Sequence, residues 1–174
     1  MATMSNSETA RTIYVTALRN THALEEQALQ IMERQVERLQ NYPEMERALR
    51  MHIEETHGQR RRLEEALSSL NESPSAVKEA VLGFVGNMAA LAHAPAQDEI
   101  LKNAFANHAF ENYEIAAYTS LIAIAEGSGH TGSLTGFRQS LQEEQRMAQT
   151  VRDQIEPITR KYMMLTEAGE KASR

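Results

Sequence analysis

Three glutamates of this sequence lie at the centre of apolar helical stripes, where a carboxylate is energetically costly. Glu25, Glu111 and Glu144 each fall among hydrophobic residues at helical spacing. Their neighbours Glu26 and Glu143 are rotated by about 100° around the helix and are expected to reach water. An unpaired carboxylate in a core costs several kcal/mol, so it must be protonated, paired or bound to a cation. Three such groups at one level favour a bound metal.

Further candidate metal ligands lie close to these glutamates. His52 is central in the stripe of the second helix, with Glu55 about 60° away around the helix. Glu114 follows Glu111 by one turn, so it can bridge or chelate an ion. A site of glutamate oxygens with one histidine nitrogen and no sulfur prefers iron or manganese over zinc or copper(I).

The other histidines are weaker candidates. Glu54 and His57 form a tempting Glu-x-x-His pair, but they fall about 140–160° from the centre of the stripe, on the outer face. His22 and His108 lie about 60° off centre and are expected behind the ligands or at a partly exposed rim. Tyr118 lies in its stripe, where either a site carboxylate or plain core packing could account for its hydroxyl.

Composition excludes several other chemistries. The chain has no cysteine, which removes disulfides, zinc-thiolate sites, iron–sulfur clusters and thiol catalysis. A net charge of -6 argues against a nucleic-acid or anionic-membrane partner, and the basic run 60–62 is flanked by glutamates, as expected of a solvated helix face. No apolar stretch approaches the roughly 20 residues that span a bilayer, and the polar start is unlike a signal peptide, so we expect a cytoplasmic protein.

Few breaks interrupt the helical pattern of the 174 residues. Only four prolines and eight glycines occur, and all but two of the 24 acidic residues are glutamate, a good helix former. The pattern predicts long helices over 8–40, 43–70, 97–126 and 134–166, the last with a kink at Pro157, and a shorter helix over 76–92. Residues 1–7 and 167–174 are expected to be flexible ends. Each long helix has one apolar face, so the prediction is an all-α four-helix bundle over 8–166.

Helix lengths predict that the acidic groups meet at one level. The first helix rises about 22 Å from Glu25 to its end, and the second returns about 18 Å to Glu55. The later hairpin relates Glu111 and Glu144 in the same way. The connection over 71–96 is long enough to return along the bundle, which would make the second and third helices parallel. That long crossover, carrying the additional short helix, is the ferritin-like connection.

Several short sequence segments resemble motifs of the YciE/YciF-type family of bacterial ferritin-like proteins, and of its YciE branch in particular. They are 22–27, 41–44, 52–56, 110–121 and 143–145. The resemblance implies a rubrerythrin-like bundle, often a homodimer, that is associated with bacterial stress responses. Carried over position by position, it places the inward acids at Glu25, Glu55, Glu111, Glu114 and Glu144.

Two positions depart from the YciF branch of that family. Asn112 stands where a histidine is expected, and Ala148 stands where an acidic residue is expected. These losses leave open a second metal position that is incomplete, and with it a degenerate or empty site.

Two functions are therefore compatible with the sequence. The first is a carboxylate-bridged centre of two iron or manganese ions that handles peroxide or oxygen, as a catalase, peroxidase or ferroxidase would. Its ligands would be Glu25, His52, Glu55, Glu111, Glu114 and Glu144. The second is a metal-poor structural or partner-binding stress protein, whose glutamates are protonated or hydrogen-bonded to His52 and Tyr118.

Overall fold

The computed structural model describes residues 6–74 and 97–173, which contain four long helices and no β-strand. The helices are α1 (Asn6–Val36), α2 (Pro43–Ser69), α3 (Glu99–Gly127) and α4 (Leu134–Glu167). A single 3-10 turn, Thr131–Ser133, precedes α4. The short helix predicted over 76–92 lies outside the described residues.

The junction between α1 and α2 is set by a turn that the periodicity did not reveal. The first helix ends at Val36, four residues before its predicted end, because the amides of Arg38 and Tyr42 bond to the carbonyls of Gln35 and Leu39. Pro43 then occupies the first turn of α2, where its missing N–H would have had no helical partner. The predicted start of α2 is confirmed, and the predicted end of α1 is wrong.

The C-terminus of α2 is closed by a left-handed residue. Asn71 has a φ of 56°, a conformation that asparagine tolerates better than most residues. It allows the amides of Asn71 and Glu72 to bond back to the carbonyls of Ser68 and Leu67, which satisfies carbonyls at the end of the helix. The chain therefore leaves α2 at this point.

The directions of the helices follow from the side-chain pairs between them. Residue numbers that rise along one helix pair with numbers that fall along its neighbour: Arg50 and Glu64 of α2 pair with Glu37, just after α1, and His22 of α1, and Asn107 and Tyr118 of α3 pair with Gln35 and Glu25 of α1. The first helix is thus antiparallel to both neighbours, so α2 and α3 run parallel. The all-α ferritin-like bundle predicted from the sequence is confirmed.

The bundle interior consists of two apolar layers. One contains Met32, Val36, Leu49, Phe110 and Val151, and the other contains Leu18, Leu63, Leu121, Ala125 and Phe137. Each fully buried side chain of this kind contributes roughly 1.5–3 kcal/mol by leaving water. The two layers hold the four helices at fixed rotations. Polar side chains occupy the level of the bundle between the two layers.

The last described residues of the chain contact the turn between α1 and α2. The carbonyls of Lys171 and Ala172 accept hydrogen bonds from the Asn41 and Tyr42 side chains, at 2.8 and 2.6 Å.

Within the described part of the chain, no helix combines the length and the apolar character needed to span a lipid bilayer.

Candidate metal centre

A buried cluster of one histidine and three glutamates lies between the two apolar layers. His52 of α2, Glu111 and Glu114 of α3 and Glu144 of α4 each offer one donor atom, and these atoms lie within 4.8 Å of one another. The Nε2 atom of His52 is 3.3 Å from Glu111 Oε2 and 3.5 Å from Glu144 Oε2. Donor atoms about 2.1 Å from an ion are at most about 4.2 Å apart. Both separations from His52 Nε2 fall within this limit.

Glu25 adds a fourth carboxylate from α1. Its side chain is fully buried, and the Tyr118 hydroxyl donates to its Oε1 atom at 2.5 Å. Burial raises the pKa of Glu25 well above its usual value, and the nearby charge of Glu144 raises it further. All four helices thus contribute to the centre. Of the two alternatives for the Tyr118 hydroxyl, the structure selects the bond to a site carboxylate.

The structure places Glu55 behind His52 and outside the buried cluster. Its Oε2 atom lies 3.1 Å from His52 Nδ1, and its Oε1 atom accepts a hydrogen bond from Arg146 at 2.8 Å. The contact to Nδ1 turns the other ring nitrogen toward the cluster, as carboxylates behind metal-binding histidines do. The ion pair with Arg146 holds Glu55 at the α2–α4 surface, where its side chain is 24% exposed.

Gln59 belongs to the centre, although the sequence analysis assigned it no role. It is fully buried on α2, and its side-chain amide donates a short hydrogen bond to Glu144 Oε1. Its own Oε1 atom has no partner among the described residues. A long polar side chain in an apolar stripe, two turns after His52, was the signal that could have identified it.

The surroundings of the cluster correct one further prediction. Glu143 does not reach water: it is buried, and Arg62 donates to both of its oxygens at 2.7 and 3.0 Å. Arg62 also donates to Ser140, so this part of the basic run 60–62 faces α4 and not solvent. Arg62 reaches Glu143 and Ser140 because α2 packs antiparallel against α4. Gly136 provides space for the Arg62 side chain, since a Cβ at this position would lie 3.3 Å from it.

The other histidines that the structure describes are not part of the cluster. His22 is buried, and its Nε2 atom is 3.0 Å from Glu64, with which it joins α1 to α2. His108 is partly exposed on α3. Glu54 is exposed and His57 partly exposed, so their Glu-x-x-His spacing does not face the interior.

The donor set fits a hard metal cation. Five buried carboxylate oxygens have no hydrogen-bond partner among the described residues: Glu25 Oε2, Glu111 Oε2, both oxygens of Glu114 and Glu144 Oε2. Each unpaired buried group costs about 1–3 kcal/mol, and more if it is charged. Two divalent cations would neutralise the four carboxylates, whereas one would leave two negative charges in an apolar interior. Bound cations would therefore relieve the charge of these four carboxylates.

Without metal, the centre must hold protons. Burial raises the pKa of Glu114 well above its usual value and that of Glu111 to about 7. Burial works to lower the pKa of His52, but the surrounding carboxylates, Glu111 first, outweigh it and raise that pKa well above 6.5. Metal binding would displace these protons.

These protons predict that metal-free protein loses stability as the pH rises from about 4.5 to about 7. Unfolded glutamate gives up its proton near 4.5, whereas Glu111 keeps its proton to about 7 in the folded state. Between these values the folded chain binds more protons, so the free energy of unfolding falls with rising pH. Urea unfolding with a chelator present measures this slope. Glu111→Gln should reduce it, and a wild-type stability that is flat or rising over this range would contradict the assignment.

The chain is similar to proteins of known sequence and structure. A family model described as "Domain of unknown function (DUF892)" matches residues 9–164. Protein YciF of Escherichia coli K12 is 26% identical over 145 residues, which cover 80% of this chain and 86% of YciF. A solved protein structure from Xanthomonas campestris pv. campestris has a TM-score of 0.76 at 27% identity and covers 91% of this chain and 99% of its own. The structure of the E. coli stress protein YciF, at 23% identity, has a TM-score of 0.73 and covers 84% and 94%.

Proposed function

The chain belongs to the family described as Domain of unknown function (DUF892), and we propose that it is a ferritin-like metalloprotein that holds two iron or manganese ions and reacts with peroxide or oxygen. One observation carries this proposal. Glutamates on α3 and α4 lie beside His52 of α2 in the interior, Glu25 of α1 adds a buried carboxyl near them, and five of these oxygens make no hydrogen bond within the described residues, two of them being 3.3 and 3.5 Å from His52 Nε2. An interior of this kind favours bound cations.

The contacts around each ligand support distinct roles. Both oxygens of Glu114 are without a hydrogen-bond partner among the described residues, so it would offer both of them to bound metal. Glu25 and Glu144 each have one oxygen held by a hydrogen bond, from Tyr118 and Gln59, and turn the other oxygen inward as a terminal ligand. Glu55, which the sequence predicted as a metal ligand, is assigned instead to orienting His52.

When bound, such a metal pair would supply two electrons, one from each ion, to a hydrogen peroxide molecule. With two protons, the peroxide then becomes two water molecules. The chain provides a dry site for it. Burial first, and then Glu25, raise the pKa of Tyr118 well above 10, so its hydroxyl stays protonated and remains a donor to Glu25. Oxygen is the alternative oxidant for the same pair.

A metal-poor structural or partner-binding protein is the competing function. It would need the same carboxylates to be satisfied by protons and internal hydrogen bonds. Tyr118 and Gln59 each satisfy one oxygen, and His52 Nε2 lies 3.3 and 3.5 Å from one oxygen of Glu111 and one of Glu144. Both oxygens of Glu114 and Glu25 Oε2 still have no hydrogen-bond partner among the described residues. This difference favours the metal centre. The stress response, the homodimer, the cytoplasmic location and the YciE branch are implied by the family resemblance or the composition and stay predictions.

Metal-dependent stability tests the proposal. Adding Mn²⁺, or Fe²⁺ without oxygen, to metal-free protein should raise the free energy of unfolding by about 2.7 kcal/mol for each ion bound, at about 100 times the dissociation constant. Glu25→Gln should weaken this stabilisation strongly because it removes a negative ligand. The matched control is Glu26→Gln, since Glu26 is the exposed neighbour on the same helix.

The outcomes of this titration separate the two functions. Stabilisation that is lost in Glu25→Gln and kept in Glu26→Gln supports the centre. A wild-type protein whose unfolding does not respond to either metal supports the metal-poor protein. Equal loss in both variants would show that the metal acts through general surface charge.

A further inference from the structure

A small cavity lies between α1 and α3 and reaches the metal centre. Its volume is about 20 Å³ for the centre of a water-sized sphere, and Ala28, Met32, Ala106, Phe110 and Glu111 are among its lining residues. A cavity needs about 10–15 Å³ by this measure to hold one water molecule. The space therefore admits a very small molecule and nothing larger.

The cavity leads from the surface toward the cluster. Ile31 and Ala106 line it and are partly exposed, whereas Glu111 lines it and belongs to the buried cluster. Apart from Glu111 the lining is apolar except for Asn107, whose side-chain amide donates to Gln35 at 2.9 Å. A charged molecule would lose its hydration here without compensation, so the lining selects uncharged ones.

Polar contacts close the other described sides of the centre. Tyr118 and Gln59 are fully buried on their bonds to Glu25 and Glu144. Between α2 and α4, the ion pairs Arg146–Glu55 and Arg62–Glu143 stand between the cluster and water. A larger groove between α1 and α3, lined by Thr21, Leu24 and Leu121 among others, includes no residue of the cluster, whereas the small cavity includes Glu111. Of these two spaces, the small cavity is therefore the one that reaches the cluster.

We infer that the cavity between α1 and α3, here called the α1–α3 opening, admits a small uncharged oxidant, of the size of hydrogen peroxide or dioxygen, to Glu111, and that Ala28 and Ala106 set its width. This inference rests on the proposed function, since an oxidant needs the metal pair to react. The path itself belongs to the protein and can be tested without metal.

Met32 provides a reporter within the opening. Hydrogen peroxide transfers one oxygen atom to a methionine sulfur, which becomes a sulfoxide, and the other oxygen leaves as water. Met32, Met45 and Met147 are equally buried, at 4%, 3% and 5% exposure, but Met32 lines the opening. In metal-free protein we expect Met32 to oxidise at least about five-fold faster than the other two.

Tryptic peptides separate the three sites, since they fall in 20–34, 39–47 and 147–152. Mass spectrometry of these peptides over a peroxide time course gives the three rates. The exposed Met51 should oxidise first and shows that the reagent is active. A Met32 rate equal to those of Met45 and Met147 would overturn the inference.

A filled opening provides the matched variant. Ala106→Leu should slow Met32 oxidation toward the rates of Met45 and Met147, whereas Ala109→Leu, at an exposed position of the same helix, should not. In metal-loaded protein the Ala106 variant should keep its metal content and slow the oxidation of the metal, with peroxide and air-saturated buffer as separate arms. A Met32 rate that is unchanged in Ala106→Leu would overturn the inference.

The experiment distinguishes this inference from the proposed function. If metal binds but Met32 shows no preference, the opening is wrong and the metal centre stands. If Met32 shows the preference but no metal binds, the path exists and the proposed function is wrong.

Discussion

Replacing Glu114 with leucine is expected to raise the free energy of unfolding of the metal-free protein by about 1–4 kcal/mol. Its side chain is fully buried, and neither oxygen has a hydrogen-bond partner. Burial first, and then the charges of Glu144 and Glu25, raise the pKa of Glu114 well above its usual value. Leucine removes this unfavourable carboxyl without breaking a hydrogen bond. Urea unfolding with a chelator present measures the gain.

The same variant should lose the stabilisation that added metal confers, because the Glu114 carboxylate would no longer be there to bind the metal. Glu144→Leu is the informative comparison: it also removes a buried carboxylate, but it leaves the Gln59 amide without its acceptor, at a cost of about 1–3 kcal/mol. Its gain should therefore be smaller. A Glu114→Leu protein that is less stable than wild type without metal would show that the carboxyl group is favourable in the empty centre and would contradict the account.

Replacing Arg62 with methionine is expected to lower the free energy of unfolding by about 3–5 kcal/mol. The guanidinium group lies 2.7 and 3.0 Å from the two oxygens of Glu143, whose side chain is 6% exposed. Methionine keeps most of the aliphatic stem but removes the positive charge that pairs with Glu143, which then keeps only the hydrogen bond from the Gln139 amide. Denaturant unfolding of metal-free protein measures the loss.

Two control variants test whether the loss of stability comes from the Arg62–Glu143 ion pair. Arg61→Met changes the exposed neighbour on the same helix and should alter stability by no more than about 0.5 kcal/mol. The double variant with Arg62→Met and Glu143→Leu removes the unpaired charge and should recover much of the loss. A loss in Arg62→Met as small as that of Arg61→Met would mean that Glu143 is well solvated.

The sequence predicts the helices and the burial of three acids well, because both depend on local information. Apolar residues at helical spacing, interrupted at 41–43 and 127–132, define the four helices regardless of how they pack. Glu25, Glu111 and Glu144 lie at the centres of their stripes, and all three are buried. Helix rise alone then predicts that they meet at a common level.

The sequence could not predict contacts that depend on the rotation and register of neighbouring helices. Glu55 and Glu143 lie at stripe edges, where a small rotation decides whether a side chain faces the centre or the helix interface. The arginines that hold them, Arg146 and Arg62, come from α4 and α2 across that interface. Gln59 needed the same information, since its role depends on Glu144 of α4 being opposite.

The metal content of the protein, purified without chelator from cells grown with added iron and manganese, tests the central claim most directly. The account predicts about two iron or manganese ions per chain, a ratio that falls in Glu25→Gln and stays in Glu26→Gln. A ratio below about 0.1 that does not rise when metal-free protein is incubated with Fe²⁺ or Mn²⁺ would contradict it.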